Sequence, residues 1–152
     1  MELTIRHTLA TLAYRLGKVL RGTPPQFGDF DGGTRTPRQI LAHVGDLMDW
    51  ALTQVRGNEK WQESPPLPWE QEIARFFQSI EALDRHISAN GLSGVNTDRL
   101  FQGAIADALT HTGQLAMLRR MAGVPMRGEN YAKADIVAGR VGSEQTAPKR
   151  ES

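Results

Sequence analysis

The chain has 152 residues, enough for one domain with a core of ordinary size. Its 39% hydrophobic content fits a soluble globular protein, and 18 basic against 17 acidic residues leave a net charge of +1. That balance excludes a strong field toward nucleic acid or a membrane surface. The absence of cysteine excludes a disulfide, a thiolate metal site and a cysteine nucleophile. Residues 1–10 carry Glu2, Arg6 and His7 and lack the apolar centre of a signal peptide. No apolar run approaches the roughly 20 residues of a membrane span, so the expected location is the cytoplasm.

Four stretches have helical periodicity and almost nothing reads as strand. In the first, Ile5, Leu9, Leu12, Ala13, Leu16, Val19 and Leu20 recur at three- and four-residue steps, and Gly22 with Pro24-Pro25 ends it. A turn-rich connection follows, Gly28 to Gly33, with Phe27 and Phe30 as plugs for one bundle end. Thr36-Pro37-Arg38-Gln39 then forms a capping box with proline at the first helical position. Behind it Ile40, Val44, Leu47, Met48, Ala51 and Val55 mark one apolar stripe, which the polar, proline-rich segment Gly57 to Pro66 breaks.

The third helix is expected to begin near Pro68, with Ile73, Phe76, Phe77, Ile80, Leu83 and Ile87 inward and Asn90-Gly91 as its stop. Asn96, Thr97 or Asp98 caps the fourth, whose stripe of Leu100, Ala104, Ala108, Leu115 and Leu118 runs until Gly123 and Pro125. Each helix would be ~27 to 39 Å long at 1.5 Å per residue. Four such amphipathic helices bury their faces best as an all-α four-helix bundle. The first two connections are long enough to permit a crossover. Tyr131, Ala134, Ile136 and Val137 suffice to dock a short C-terminal extension, and Ser143 to Ser152 has the composition of a disordered end. The expected organisation is one domain over residues 1–142 and a free tail over 143–152.

Sorted at about 100° per residue, His7 and His86 fall on solvated faces, whereas His111 falls near the centre of the fourth stripe with Asp107 one turn before it. His43 lies at the edge of the second stripe. Inward imidazoles and a carboxylate need hydrogen-bond or metal partners, because burying them unpaired costs several kcal/mol. Residues four apart on a helix can grip one divalent ion, and His43 from another helix would complete three ligands with a position open for water or substrate. The spacing is equally that of a structural Asp107–His111 hydrogen-bonded pair. Asp46 and Asp49 follow His43 on progressively more exposed angles and are expected in solvent. Trp50, Trp61 and Trp69 read as core and loop anchors, and Tyr131 as a packing residue, a reach of its hydroxyl toward the site being the functional alternative.

The stretches Arg35-Thr36-Pro37-Arg38-Gln39-Ile40-Leu41-Ala42-His43 and His111-Thr112-Gly113-Gln114-Leu115, with Leu118-Arg119-Arg120 and Gly123 behind the second, resemble the DinB/YfiT-like four-helix-bundle proteins. The likeness covers about residues 3–126 and extends to the order and spacing of the helices. It implies a metal site of three histidines, one on the second helix and two, four apart, on the fourth. His43 and His111 match two of them, Asp107 stands in the place of the remaining histidine, and Thr112 replaces the usual arginine. Aspartate still ligates zinc or nickel, the ions expected first, or iron or manganese. Gln114, three residues after His111, would bind a ligand or substrate from beside the metal.

The resemblance further implies a homodimer acting on a small molecule, by thiol-dependent transfer with a low-molecular-weight thiol as cosubstrate, or by hydrolysis. A non-catalytic, dimeric, stress-associated or ligand-binding bundle is the alternative. No DNA-binding motif, Gly-rich phosphate loop, His-Glu-x-x-His or Glu-x-x-His is present, so nucleic acid, nucleotide hydrolysis, zincin proteolysis and di-iron chemistry are not expected.

Overall fold

A computed structural model describes residues 2–152, with side chains from Thr4 onward. The elements are α1 (Glu2–Leu20), a 3-10 turn (Pro25–Asp29), α2 (Pro37–Arg56), α3 (Trp69–Asn90), α4 (Thr97–Leu100), a π turn (Phe101–Ile105), α5 (Ala106–Met121) and a last 3-10 turn (Tyr131–Lys133). Backbone angles stay helical from Leu100 through Ala106, so α4, the π turn and α5 form one rod, and the fold is four helices. Among the described residues there is no strand beyond an isolated antiparallel bridge between Glu129 and Glu151. No described helix is long and apolar enough to cross a membrane.

The helix ends follow the local signals. Thr36 accepts from the Gln39 amide while the Gln39 side chain accepts from the Thr36 amide, a complete capping box ahead of Pro37. Gly57, at φ 80°, ends α2 in the left-handed region that glycine enters without strain. Gly91 ends α3, and the Asn96 side chain caps α4.

Helices α1 and α2 sit on opposite corners of the bundle, each packed against both α3 and α5. Side-chain links fix the directions. Arg6 meets Asp84 and Gly17 approaches Phe77, so α1 and α3 are antiparallel. Arg119 reaches the Val19 and Arg21 carbonyls, bringing the C-terminal ends of α1 and α5 together. Trp50 lies on Gly103 while His43 meets His111, so α2 and α5 are antiparallel. It follows that α2 and α3 run parallel, and the chain between them must return along the bundle. Twelve residues at ~3.3 Å each are ample for that return, and residues 57–68 run back along α2. Lys60 binds Thr53, the Ser64 amide binds Asp46, and Arg38 binds the Pro66 carbonyl. The crossover that the long connections permit is thus present in the second, while the first joins the antiparallel α1 and α2 across one end of the bundle.

The core is aliphatic along most of its length, with Leu9, Leu12, Leu16, Leu41, Met48, Phe76, Ile80, Leu83 and Leu115 fully enclosed. One end is closed by Phe27, whose ring meets Trp69 edge-on. Gly28 is required there, because a Cβ would come within 2.7 Å of the Trp69 Cβ.

One expectation changes. Residues 143–152, expected to be free, fold back onto the domain: the Asn130 amide binds the Arg150 carbonyl, the Ser152 amide binds Gly128, and Lys18 pairs with both Glu129 and Glu151. The Glu129 side chain has no exposure, so a composition that looks solvated is held by charges from α1 and the first part of the tail. Tyr131 packs away from His43, Asp107 and His111, edge-on to Tyr14 and under the Arg15 guanidinium.

Candidate metal centre

His43, Asp107 and His111 come together across the α2–α5 seam, with one ligand atom from each within 4.8 Å of the others. Asp107 stands between the two rings and turns a separate oxygen to each. Its Oδ2 is 3.4 Å from His43 Nε2 and its Oδ1 is 3.5 Å from His111 Nε2. Tetrahedral zinc with ligands at about 2.0–2.1 Å places its donors about 3.3–3.4 Å apart, so these separations fit a shared ion. Burial grades across the cluster, the side chains of His111, His43 and Asp107 being 13%, 27% and 45% exposed. The ion would therefore be reachable from the Asp107 side.

The other face of His111 is fixed by Gln114, whose Oε1 lies 2.7 Å from Nδ1. Because that oxygen only accepts, Nδ1 carries the proton and donates, and Nε2 turns to Asp107. Nε2 is thereby left as a lone pair facing Asp107, the orientation in which an imidazole and a carboxylate can share a cation. Gln114 thus touches His111 and sets its tautomer, as groups behind metal-bound histidines commonly do.

Within α5 the inward positions fall to Ala108, Thr112, Leu115, Leu118 and Arg119, and His111 lies at the edge facing α2. Thr112, buried, donates to the Ala108 carbonyl and looks toward α1.

Asp46 corrects an expectation: it is buried, 4% exposed, one turn beyond His43. Arg75 of α3 explains it. That guanidinium binds Asp46, Asp49 and the Ala42 carbonyl and lies 3.5 Å from Glu72, itself fully buried. Burial alone pulls the Arg75 pKa down, but the hydrogen bonds it donates to Asp46 and Asp49 outweigh that and the net shift is upward. Gly45 leaves room for this side chain, since a Cβ would approach Arg75 Nη1 to 2.9 Å. Asp49 stays half out, with 53% of its side chain exposed.

Trp61 departs from plain loop anchoring. The returning segment lays its ring edge-on against both His43 and Trp50, and Glu59 is held by a bidentate Arg99 and by the Trp50 indole. No local signal marks Trp61 as a neighbour of His43; only the parallel α2–α3 arrangement brings it there. Trp69 is buried in the core as expected, and His7 is exposed.

A cavity of about 520 Å³ opens beside the cluster, between α2, α5 and the α1–α2 connection, with His43, His111, Gln114 and Arg35 on its wall. Arg35 immediately precedes the α2 capping box, and its place on this wall is visible only in three dimensions. Compared with known proteins, the chain matches no family model, no curated protein and no solved structure.

Proposed function

We propose that the protein is a divalent-metal-dependent enzyme of the DinB/YfiT-like class, holding one ion through His43, Asp107 and His111 and acting on a small molecule by thiol-dependent transfer or hydrolysis. The observation that carries this reading is the cluster itself: three ligand atoms of suitable chemistry within 4.8 Å, on the wall of a cavity large enough for a substrate. The sequence likeness around His43 and His111 supports the assignment to the class.

Two imidazoles and a carboxylate suit zinc or nickel, and iron or manganese as well. A divalent ion supplies stabilisation of the anion of a coordinated thiol or water near neutral pH. The chain's own contributions are positional. Gln114 keeps the Nδ1 proton of His111 in place and leaves Nε2 for coordination. Trp61 limits rotation of the His43 ring. Asp107 would bring one negative charge that a third histidine would not, and so offset part of the charge of an ion held there.

The test is elemental mass spectrometry of tag-free protein beside His111→Ala. A single divalent ion per chain, lost in the variant, supports the reading. Absence of metal from both after reconstitution with zinc, nickel, iron and manganese overturns it.

A further inference from the structure

The cavity beside the cluster has a one-sided chemistry. Apart from the two histidines, Arg35 is its only ionisable lining residue, and no carboxylate lines it. Arg38 nearby is tied to Asp29, whereas Arg35 pairs with no carboxylate among the described residues. The rest of the wall is largely apolar, with Ile40 from α2 and Met117, Leu118 and Met121 from α5. Met117 and Met121 are each 54% exposed, an unusual outlay of apolar surface unless something covers it.

The antiparallel packing of α2 and α5 makes the cavity a trough. His43 and His111 face each other at one end, and Ile40, Leu118 and Met121 line it toward the other. From His111 to Met121 the rise along α5 is ~15 Å at 1.5 Å per residue. Arg35 precedes the N-cap of α2 and so enters from the Leu118–Met121 end; it also lines the adjoining 230 Å³ cavity with His43, Asp46 and Glu63.

We propose that this trough binds an aliphatic carboxylate, its head held by Arg35 and its chain laid along Met117, Leu118 and Met121. The recognition by Arg35 and the methionines does not rest on the metal reading. A guanidinium offers a carboxylate two parallel donors. Methionine side chains adapt to a flexible chain. A neutral ligand of the same length forgoes the ion pair, and a cationic one meets repulsion at Arg35.

Octanoate is the probe, titrated into protein carrying 13C-labelled methionine methyl groups, with and without zinc. Met117 and Met121 resonances are expected to move, while Met48, fully buried in the core, stays in place. Octan-1-ol and octylammonium should bind at least about tenfold more weakly, the worth of one charge-assisted hydrogen bond. Arg35→Gln, at an exposed position, should melt like the parent, lose about tenfold in octanoate affinity and keep its affinity for octan-1-ol. Octan-1-ol binding as tightly as octanoate to the parent overturns the inference, as does an octanoate response that Arg35→Gln leaves intact. Zinc uptake with no response at Met117 and Met121 overturns this inference alone. Octanoate binding without any metal uptake sustains it and overturns the metal reading instead.

Discussion

His43 and His111 meet edge to face, their ring centroids 5.0 Å apart and their planes at 89°, with one ring supplied by α2 and the other by α5. Asp107 addresses both through different oxygens. His111→Ala is expected to abolish metal binding and His43→Ala to weaken it strongly. Asp107→His should retain it, since an imidazole there supplies the same donor position. Calorimetric zinc titration of the three variants checks this, and loss of binding in Asp107→His would count against the shared-ion geometry.

Gln114 contributes through the Nδ1 proton of His111. Gln114→Ala should lower metal affinity by about ten- to a hundredfold without changing the number of ions bound. Gln114→Glu restores an acceptor at that nitrogen and should recover most of the loss. Equal affinity in the parent and in Gln114→Ala would show that the hydrogen bond does not orient the ring for a metal.

Among the described residues, Arg75 is the cation paired with both Asp46 and the fully buried Glu72. Arg75→Met strands both carboxylates and should destabilise the fold by about 3–5 kcal/mol, the cost of breaking a buried ion pair from one side. Urea denaturation measures it. The paired change Arg75→Met with Glu72→Leu should recover part of that loss.

The tail is held by charges of opposite titration behaviour. Burial lowers the Lys18 pKa, but hydrogen bonds to Glu129 and Glu151 more than offset it, leaving the net value raised above 10.5. Its contribution is therefore complete below that value and is lost as pH climbs through the raised one. The Lys18 hydrogen bond lowers Glu151 below 4.5, so its contribution is present above 4.5 and is lost as pH falls through the lowered value. The tail should stay docked between these limits and release at either extreme, followed by NMR shifts of the Asn130 and Ser152 amides. Lys18→Met should release it at neutral pH, at a cost of about 3 kcal/mol, because Glu129 is left buried with its ion-pair partner gone.

Features set by neighbours a few residues away were legible in the sequence. The Thr36 capping box, the Pro68 start of α3, the Asn90-Gly91 stop and the four apolar stripes each rest on contacts within about one helical turn. His43, Asp107 and His111 were legible as a group because two of them share one helix face and the third sits on a facing stripe. Asp46 was not, because its partner Arg75 arrives from α3. Residues 143–152 were not, because composition carries no record of Lys18 waiting on α1. Trp61 escaped notice because its place depends on the direction in which α3 runs, a global property that no window of the chain contains.

The π turn at Phe101–Ile105 has a consequence for how the chain tolerates changes in length. A π turn accommodates one residue more than an α turn while the helix on either side keeps its facing. Removing one residue there would let the rod close into continuous α-helix, and Leu100 would stay against the core while Asp107 and His111 stayed turned to α2. The same deletion anywhere along Ala106–Met121 would swing every later side chain by about 100° and scatter the seam. Just upstream of Asp107 and His111, the chain keeps a slot through which its length can vary with the cluster intact.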